Sequence, residues 1–134
     1  VKLEGKRLLD GGVSDPIPVK WMLSRGYEKN VVVLTRDVKY RKKANPKMQL
    51  FLKAVLHKYP AFLKDLEERH IHYNETLEEL SALEKEGRVH IIRPSSPIQA
   101  AMIERDGSNL ERIYQTGRAD MKKDLEKLKA YLDS

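Results

Sequence analysis

An aspartate followed by two glycines is the part of the sequence best suited to chemistry. Asp10, Gly11 and Gly12 follow a short apolar run at residues 7–9. We expect a strand that turns sharply into a loop, because glycine permits backbone angles that other residues avoid. A carboxylate at the carboxyl end of a strand lies where open parallel sheets keep their functional groups. Asp10 is therefore a candidate catalytic residue, and the alternative is an aspartate that caps the turn through its own backbone.

The other polar residues with catalytic potential have weaker settings. Ser14 precedes Asp15 and Pro16, a combination typical of a helix start, and no general base lies beside it in the sequence. His70 and His72 lie two residues apart on a predicted helix, so their side chains point about 200° apart and cannot chelate one metal. The sequence contains no His-Glu-x-x-His, Gly-x-Gly-x-x-Gly or phosphate-loop motif. We therefore expect neither a metal nor a cofactor.

Positive charge is concentrated in the middle of the chain. No acid occurs between Asp37 and Asp65, and Tyr40 and Phe51 lie among the bases of this stretch. Such a segment favours contact with an anionic lipid surface, and the alternative is a solvated loop and helix face. No recognised nucleic-acid module accompanies it, so we expect no nucleic acid partner. The predicted surface contacts are Arg41, Lys42, Lys43 and Lys47, and the other bases of the stretch are Lys39, Lys53, Lys58 and Lys64.

The composition is that of a chain with a buried core and a charged surface. Its 134 residues suit one domain, and 26 Lys and Arg against 20 Asp and Glu give a formal net charge of +6. The absence of cysteine excludes a disulfide framework, a thiolate nucleophile and a Cys-ligated metal centre. No stretch approaches the roughly 20 apolar residues of a transmembrane helix. We expect a cytoplasmic protein that can lie at the periphery of a membrane.

The first half of the chain shows a strand–helix–strand pattern. Residues 17–25 are predicted to form a short helix that ends at Gly26. Residues 30–35 form a continuous β-branched run, which is typical of a strand covered on both faces. Together with the run at residues 7–9 they predict a βαβ unit.

The second half is mainly helical. Apolar residues recur at helical spacing over 47–86, with a break at Pro60, and residues 88–94 form a third strand candidate. A last helix begins near Asn109, with Gly117 as a break. The order βαβααβα predicts an α/β fold with a short parallel sheet flanked by helices. Three strands make a narrow sheet, so we expect an exposed sheet edge that pairs with another copy of the chain.

The Asp-Gly-Gly segment resembles a known family. Residues 9–19, Leu-Asp-Gly-Gly-Val-Ser-Asp-Pro-Ile-Pro-Val, are similar to the corresponding segment of bacterial patatin-like phospholipases. The similarity extends over essentially the whole chain, through residues 26–27, 31–36, 40–43, 59–60, 73–74, 91–94 and 114–117. Asp37 differs from the family pattern, which has a proline at this position. The difference affects the shape of the loop.

The resemblance implies a function for the aspartate. Patatin-like phospholipases have a three-layer αβα fold and hydrolyse lipid acyl esters with a Ser-Asp dyad. The similarity places the dyad aspartate on Asp10, with Gly11 and Gly12 as its supporting loop. The family's nucleophile lies in a Gly-x-Ser-x-Gly motif before the aspartate, and no serine of this chain is flanked by two glycines. Residues 1–134 thus look like the carboxyl-terminal part of a single patatin-like domain that is inactive alone.

Two other functions stay open. The chain is alternatively a non-catalytic basic α/β module that binds an anionic partner. It is alternatively a degenerate family member with a scaffold role, although the intact Asp10-Gly11-Gly12 segment argues against that.

Overall fold

The computed structural model describes residues 1–100 and 103–134. It is a mixed α/β structure whose contacts divide it into two units. Unit 1 combines Val1–Pro18 with Arg41–Glu79, and unit 2 combines Val19–Tyr40 with Leu80–Ser134. Neither unit is continuous in sequence, so each depends on contacts between distant segments.

Unit 1 opens with a small antiparallel hairpin. Strands β1 (Lys2–Leu3) and β2 (Lys6–Arg7) are joined by Glu4 and Gly5, whose φ angles are 48° and 76°. Positive φ at both central residues is typical of the two-residue turns that match the twist of a hairpin. The prediction that residues 7–9 form a strand of the parallel sheet is therefore wrong: β2 ends at Arg7, and among the described strands it pairs with β1 alone.

Three helices contribute to unit 1, and the last of them continues into unit 2. A 3-10 helix spans Gly11–Val13, and helix α2 spans Pro46–Leu56. Asn45 caps α2 by accepting a hydrogen bond from the Met48 N–H at 3.1 Å. Helix α3 spans Pro60–Lys85, which confirms the predicted break at Pro60 because proline suits the first turn of a helix.

Unit 2 is built on two parallel strands. Strand β3 (Asn30–Val33) pairs with β4 (Val89–Ile92), with Asn30 opposite Val89 and Val33 opposite Ile92. The Leu34 N–H continues the ladder to the Ile92 carbonyl at 2.8 Å. The short parallel sheet of the prediction is thus present, but in the described part of the chain it has two strands and not three.

The predicted burial of β3 on both faces is wrong. Asn30 and Leu34 are buried, whereas Val31 is 41% exposed and Val33 is 69% exposed. Alternate residues of a strand point to opposite faces, so one face of β3 lies against the unit and the other faces solvent. A continuous β-branched run does not distinguish this arrangement from a strand covered on both sides.

Two helices flank the parallel strands. Helix α1 (Val19–Ser24) contacts β3, and helix α4 (Gly107–Asp133) contacts β4. Gly26 follows α1 with a φ of 84°, a left-handed conformation that glycine adopts without strain. The predicted break at Gly117 is wrong, since α4 continues through it. A single glycine costs a helix only about 1 kcal/mol, which a long helix can absorb.

The buried hydrophobic core of the described residues belongs entirely to unit 2. Its members are Val19, Leu34, Leu80, Val89 and Ile91. Within residues 1–100 and 103–134, no helix has the length and apolar character needed to cross a membrane.

Candidate functional site

Asp10 lies immediately before the 3-10 helix and caps it. Its backbone is extended (φ −63°, ψ 126°), and its Oδ1 atom accepts a hydrogen bond from the Gly12 N–H at 2.9 Å. The side chain is exposed. Within the described part of the chain, Oδ2 has no hydrogen-bond partner. Asp10 therefore caps the 3-10 helix with one carboxylate oxygen, while its other oxygen stays available.

Gly12 holds this loop through both of its backbone groups. While its N–H donates to Asp10, its carbonyl accepts a hydrogen bond from Arg69 Nε at 2.9 Å. Arg69 belongs to the part of α3 that lies in unit 1, so the Asp10 loop is attached to a helix within its own unit. Sequence reasoning did not identify Arg69, because no motif connects an arginine in a helix with a loop 57 residues earlier.

Neither glycine of the loop has the unusual backbone angle that was predicted, and only Gly12 is needed for the space that it leaves. Neither Gly11 nor Gly12 has a positive φ. A Cβ atom at Gly12 would lie 3.3 Å from Asp10 Oδ1, tighter than an ordinary van der Waals contact, whereas a Cβ at Gly11 would meet nothing within 4 Å. Gly12 is therefore the residue that permits the close approach of the carboxylate.

Ser14 serves the same loop. Its Oγ donates to the Gly11 carbonyl at 3.3 Å, and its N–H donates to the same oxygen at 3.1 Å. The prediction that Ser14 and Pro16 begin the following helix is wrong, because α1 begins only at Val19. Ser14 closes the 3-10 helix.

An apolar groove of about 650 Å³ lies in unit 1. This volume is within the range of small-molecule binding sites. One of its lining residues is Leu9, the chain neighbour of Asp10. The other lining residues are Val1, Lys2, Leu8, Leu56, Tyr59 and Phe62.

Asn74 of α3 holds the backbone of the basic segment through both of its side-chain polar atoms. Asn74 Oδ1 accepts from the Lys42 N–H at 2.9 Å, and Asn74 Nδ2 donates to the Lys42 carbonyl at 3.0 Å. The Lys42 ammonium lies 5.4 Å from the centre of the Tyr73 ring, within the range of a cation–π contact. These contacts fix the backbone beside Arg41 and Lys43.

The bases of the segment differ in their ionic partners. Lys53 pairs with Glu67 at 2.9 Å, and Lys64 lies 4.0 Å from Glu68. Among the described residues, no carboxylate lies within ion-pair distance of Lys43, Lys47 or Lys58, and all three are exposed. The positive charge around α2 is therefore only partly neutralised within the chain.

Sequence reasoning missed a polar cluster in unit 2. His90 Nε2 lies 2.5 Å from Asp124 Oδ2, and the His90 and Tyr131 rings are 5.5 Å apart. The Tyr131 hydroxyl accepts from the Asn30 N–H at 2.8 Å and lies 3.0 Å from the Arg88 carbonyl. These bonds join α4 to both strands. The cluster therefore has a structural role.

A smaller cavity of about 240 Å³ lies beside this cluster, lined by residues of β4 and α4. Its walls carry Asp120 and Asp124 together with Arg93, Lys123 and Lys127, so its cationic side chains outnumber its carboxylates by one. The Ser95 N–H donates to Asp120 Oδ2 at 2.9 Å, and this bond lowers the pKa of Asp120 below its ordinary value. Both carboxylates thus have structural partners.

The remaining histidines have local partners. His70 Nδ1 lies 2.9 Å from the Glu67 carbonyl, and His72 lies near Glu68 and Glu75 on the same helix. Residues 1–100 and 103–134 contain no group of three or more His, Cys, Asp or Glu side chains able to hold a metal ion.

The chain belongs to the family described as a domain of unknown function (DUF6363), whose model matches residues 59–133. The match includes α3, β4 and α4, and it excludes Asp10 and the bases before Tyr59. No curated protein and no solved structure matches the chain. The resemblance to patatin-like phospholipases therefore stays a prediction.

Proposed function

We propose that residues 1–134 are part of a serine acyl hydrolase of the patatin-like type, in which Asp10 is the general base of a Ser-Asp dyad. The substrate class is an acyl ester of a lipid. Within this proposal, the two parallel strands and their helices belong to a three-layer αβα domain.

The observation that carries the proposal is the state of the Asp10 carboxylate. One oxygen is fixed by the Gly12 N–H, and the other is exposed with no hydrogen-bond partner in the described residues. A carboxylate held in this way keeps its orientation while an oxygen is available to a substrate or a hydroxyl. The link between Gly12 and Arg69 supports the same function, since a general base must be positioned within hydrogen-bond reach of its partner.

The apolar groove supports the choice of substrate. It is lined by Leu8, Leu9 and Phe62, among others, and Leu9 directly precedes Asp10 in the chain. An apolar groove suits an acyl chain, since burial of methylene groups is favourable at about 0.8 kcal/mol each.

The chemistry requires a hydroxyl that these residues do not supply. A serine hydroxyl is a weak nucleophile, and an adjacent carboxylate that accepts its proton makes attack on an ester carbonyl feasible. The serine forms an acyl-enzyme with release of the alcohol, and water then hydrolyses this intermediate. No serine of residues 1–134 lies in a Gly-x-Ser-x-Gly motif. The proposal therefore places the nucleophile in a polypeptide segment outside these residues.

The test compares two aspartates of one loop. In a polypeptide that joins this chain to its Gly-x-Ser-x-Gly segment, Asp10→Asn should lower kcat for a short acyl ester by about 10²- to 10⁴-fold. Asp15→Asn is the matched control, because Asp15 is also exposed and should leave kcat unchanged. Equal activities of the two variants would contradict the proposal, as would hydrolysis by residues 1–134 alone that Asp10→Asn abolishes.

A second candidate function is a non-catalytic module that binds an anionic partner. The exposed bases Lys43, Lys47 and Lys58, which have no ion-pair partner among the described residues, favour it. Absence of a Gly-x-Ser-x-Gly segment from the encoding reading frame would exclude the hydrolase and leave this function.

The exposed side of β3 supports a further contact under either function. Val31 and Val33 present apolar surface to solvent, and we propose that a second copy of the chain packs against it. A clean monomer of residues 1–134 in sedimentation across micromolar concentrations would count against the second copy.

A further inference from the structure

Helix α2 exposes an apolar stripe to solvent. Met48, Phe51 and Val55 are 50%, 62% and 57% exposed. Their spacing of three and four residues places them on one face of the helix. Apolar side chains exposed singly are common, but three aligned on a helix of 11 residues form a continuous patch.

The neighbouring side of α2 is attached to its unit. Gln49 Nε2 donates to the Glu67 carbonyl at 3.4 Å, and Lys53 pairs with Glu67 at 2.9 Å. Leu52 and Leu56 are partly buried. The helix therefore has one side against α3 and a neighbouring apolar side of which at least half is exposed to solvent.

Bases without an ion-pair partner flank this stripe. Lys43 and Lys47 lie at the start of α2 and Lys58 lies just beyond its end, and all three are exposed. The chain has no acid between Asp37 and Asp65. An apolar stripe bordered by positive charge is typical of helices that lie in the interfacial layer of an anionic membrane.

We propose that α2 is the membrane-contacting element of this chain, with Met48, Phe51 and Val55 inserted among lipid acyl chains and Lys43, Lys47 and Lys58 at anionic headgroups. That the contacted lipid is also the substrate rests on the proposed function. The contact itself does not require Asp10.

Charge favours a lipid surface over a second copy of the chain. A second copy carries the same net charge of +6 and the same basic segment, so two such faces repel. Two of the three stripe residues are aliphatic, whereas sequence-tolerant binding of single-stranded nucleic acid relies on aromatic stacking. The observations therefore favour an anionic bilayer.

The test measures binding of residues 1–134 to phosphatidylcholine vesicles with and without phosphatidylglycerol. The chain should sediment with the anionic vesicles and much less with the neutral ones, and high salt should weaken the interaction. The double change Phe51→Ser and Val55→Ser should weaken binding by at least about tenfold. Leu132→Ser is the matched control, since Leu132 is 52% exposed but lies on α4, and it should bind as the parent does.

Two further variants separate the contributions. Lys43→Gln and Lys47→Gln should each weaken binding to anionic vesicles by about fivefold. A Trp21→Phe, Phe51→Trp chain should show a blue-shifted emission with anionic vesicles, because Trp21 is the sole tryptophan of the parent and its removal leaves only the probe.

Several outcomes would overturn the inference. They are equal binding to both vesicle types, no effect of the Phe51 and Val55 changes, and the same loss with Leu132→Ser. Self-association or oligonucleotide binding that depends on Phe51 would instead assign the stripe to a second copy or to nucleic acid. Asp10→Asn should leave vesicle binding unchanged, so failure of the dyad and failure of the membrane contact are distinguishable.

Discussion

The two units use their polar residues differently. In unit 2, Tyr131, His90 and Asp124 bond to strands or to each other, and the buried hydrophobic residues of the described chain are all in this unit. In unit 1, the Asp10 carboxylate, the bases around α2 and the apolar stripe are exposed. The comparison indicates that unit 2 is the stable framework, whereas unit 1 presents the groups that are available for function.

The largest expected effect tests this contrast in stability. Leu80 is fully buried and belongs to unit 2, so Leu80→Ala should lower the free energy of unfolding by about 2–5 kcal/mol. Leu50→Ala in unit 1 removes the same atoms from a side chain that is 72% exposed, and it should change stability by less than about 0.5 kcal/mol. Urea denaturation measures both, and similar losses would contradict the division.

The next effect concerns the polar framework. Tyr131→Phe removes the hydroxyl that accepts the hydrogen bond from the N–H of Asn30, a buried residue. The change should lower the free energy of unfolding by about 1–3 kcal/mol. Tyr114→Phe is a control on the same helix, since Tyr114 is 58% exposed and its hydroxyl has no hydrogen-bond partner in the described structure. If both changes have the same effect on the urea midpoint, the hydroxyl of Tyr131 does not connect α4 to the strands.

A smaller effect compares the glycines of the Asp10 loop. Gly11→Ala should stabilise the chain by about 0.4–1 kcal/mol, because its backbone angle is ordinary, its Cβ would meet nothing and the unfolded chain loses freedom. Gly12→Ala should gain less, since its Cβ would crowd Asp10 Oδ1. Thermal unfolding compares the two, and a Gly12→Ala variant as stable as Gly11→Ala would show that the carboxylate moves without cost.

The smallest effect is a pH dependence in unit 2. The Ser95 N–H lowers the pKa of Asp120, so this carboxylate contributes stability above its unfolded pKa, and the contribution disappears as the pH falls through the lower folded value. Because Asp120 is only partly buried and solvent screens its charge, we expect only about 0.5 kcal/mol. Asp120→Asn should therefore destabilise the chain slightly at pH 7 and not in strong acid. A difference that persists in acid would assign the effect to packing.

Local signals predicted the helices better than the strands. Pro60 and Gly26 mark real helix boundaries, because each restricts or permits particular backbone angles where it stands. The assignment of residues 7–9 to the sheet failed because strand pairing is set by a distant partner. The Glu4-Gly5 turn, a dipeptide that permits a tight hairpin, was the signal that could have corrected it.

The candidate site was predictable only in part. Asp10 stands out through its glycines, but the sequence does not indicate that Gly12 is needed for space or that Arg69 holds the loop. The cluster of His90, Asp124 and Tyr131 also escaped prediction, since its members are separated by 34 residues or more from their strand partners. Contacts of this kind depend on tertiary packing, which periodicity does not encode.

The rate at which a fluorophosphonate acylates the serine measures the central claim most directly, because this rate reports how strongly the nucleophile is activated. In a polypeptide that contains both this chain and its Gly-x-Ser-x-Gly segment, Asp10→Asn should slow the labelling of that serine strongly, whereas Asp15→Asn should leave it unchanged. Thermal unfolding of both variants confirms that the fold is retained. Equal labelling rates in the parent and the Asp10→Asn variant would contradict the assignment of Asp10 as the general base.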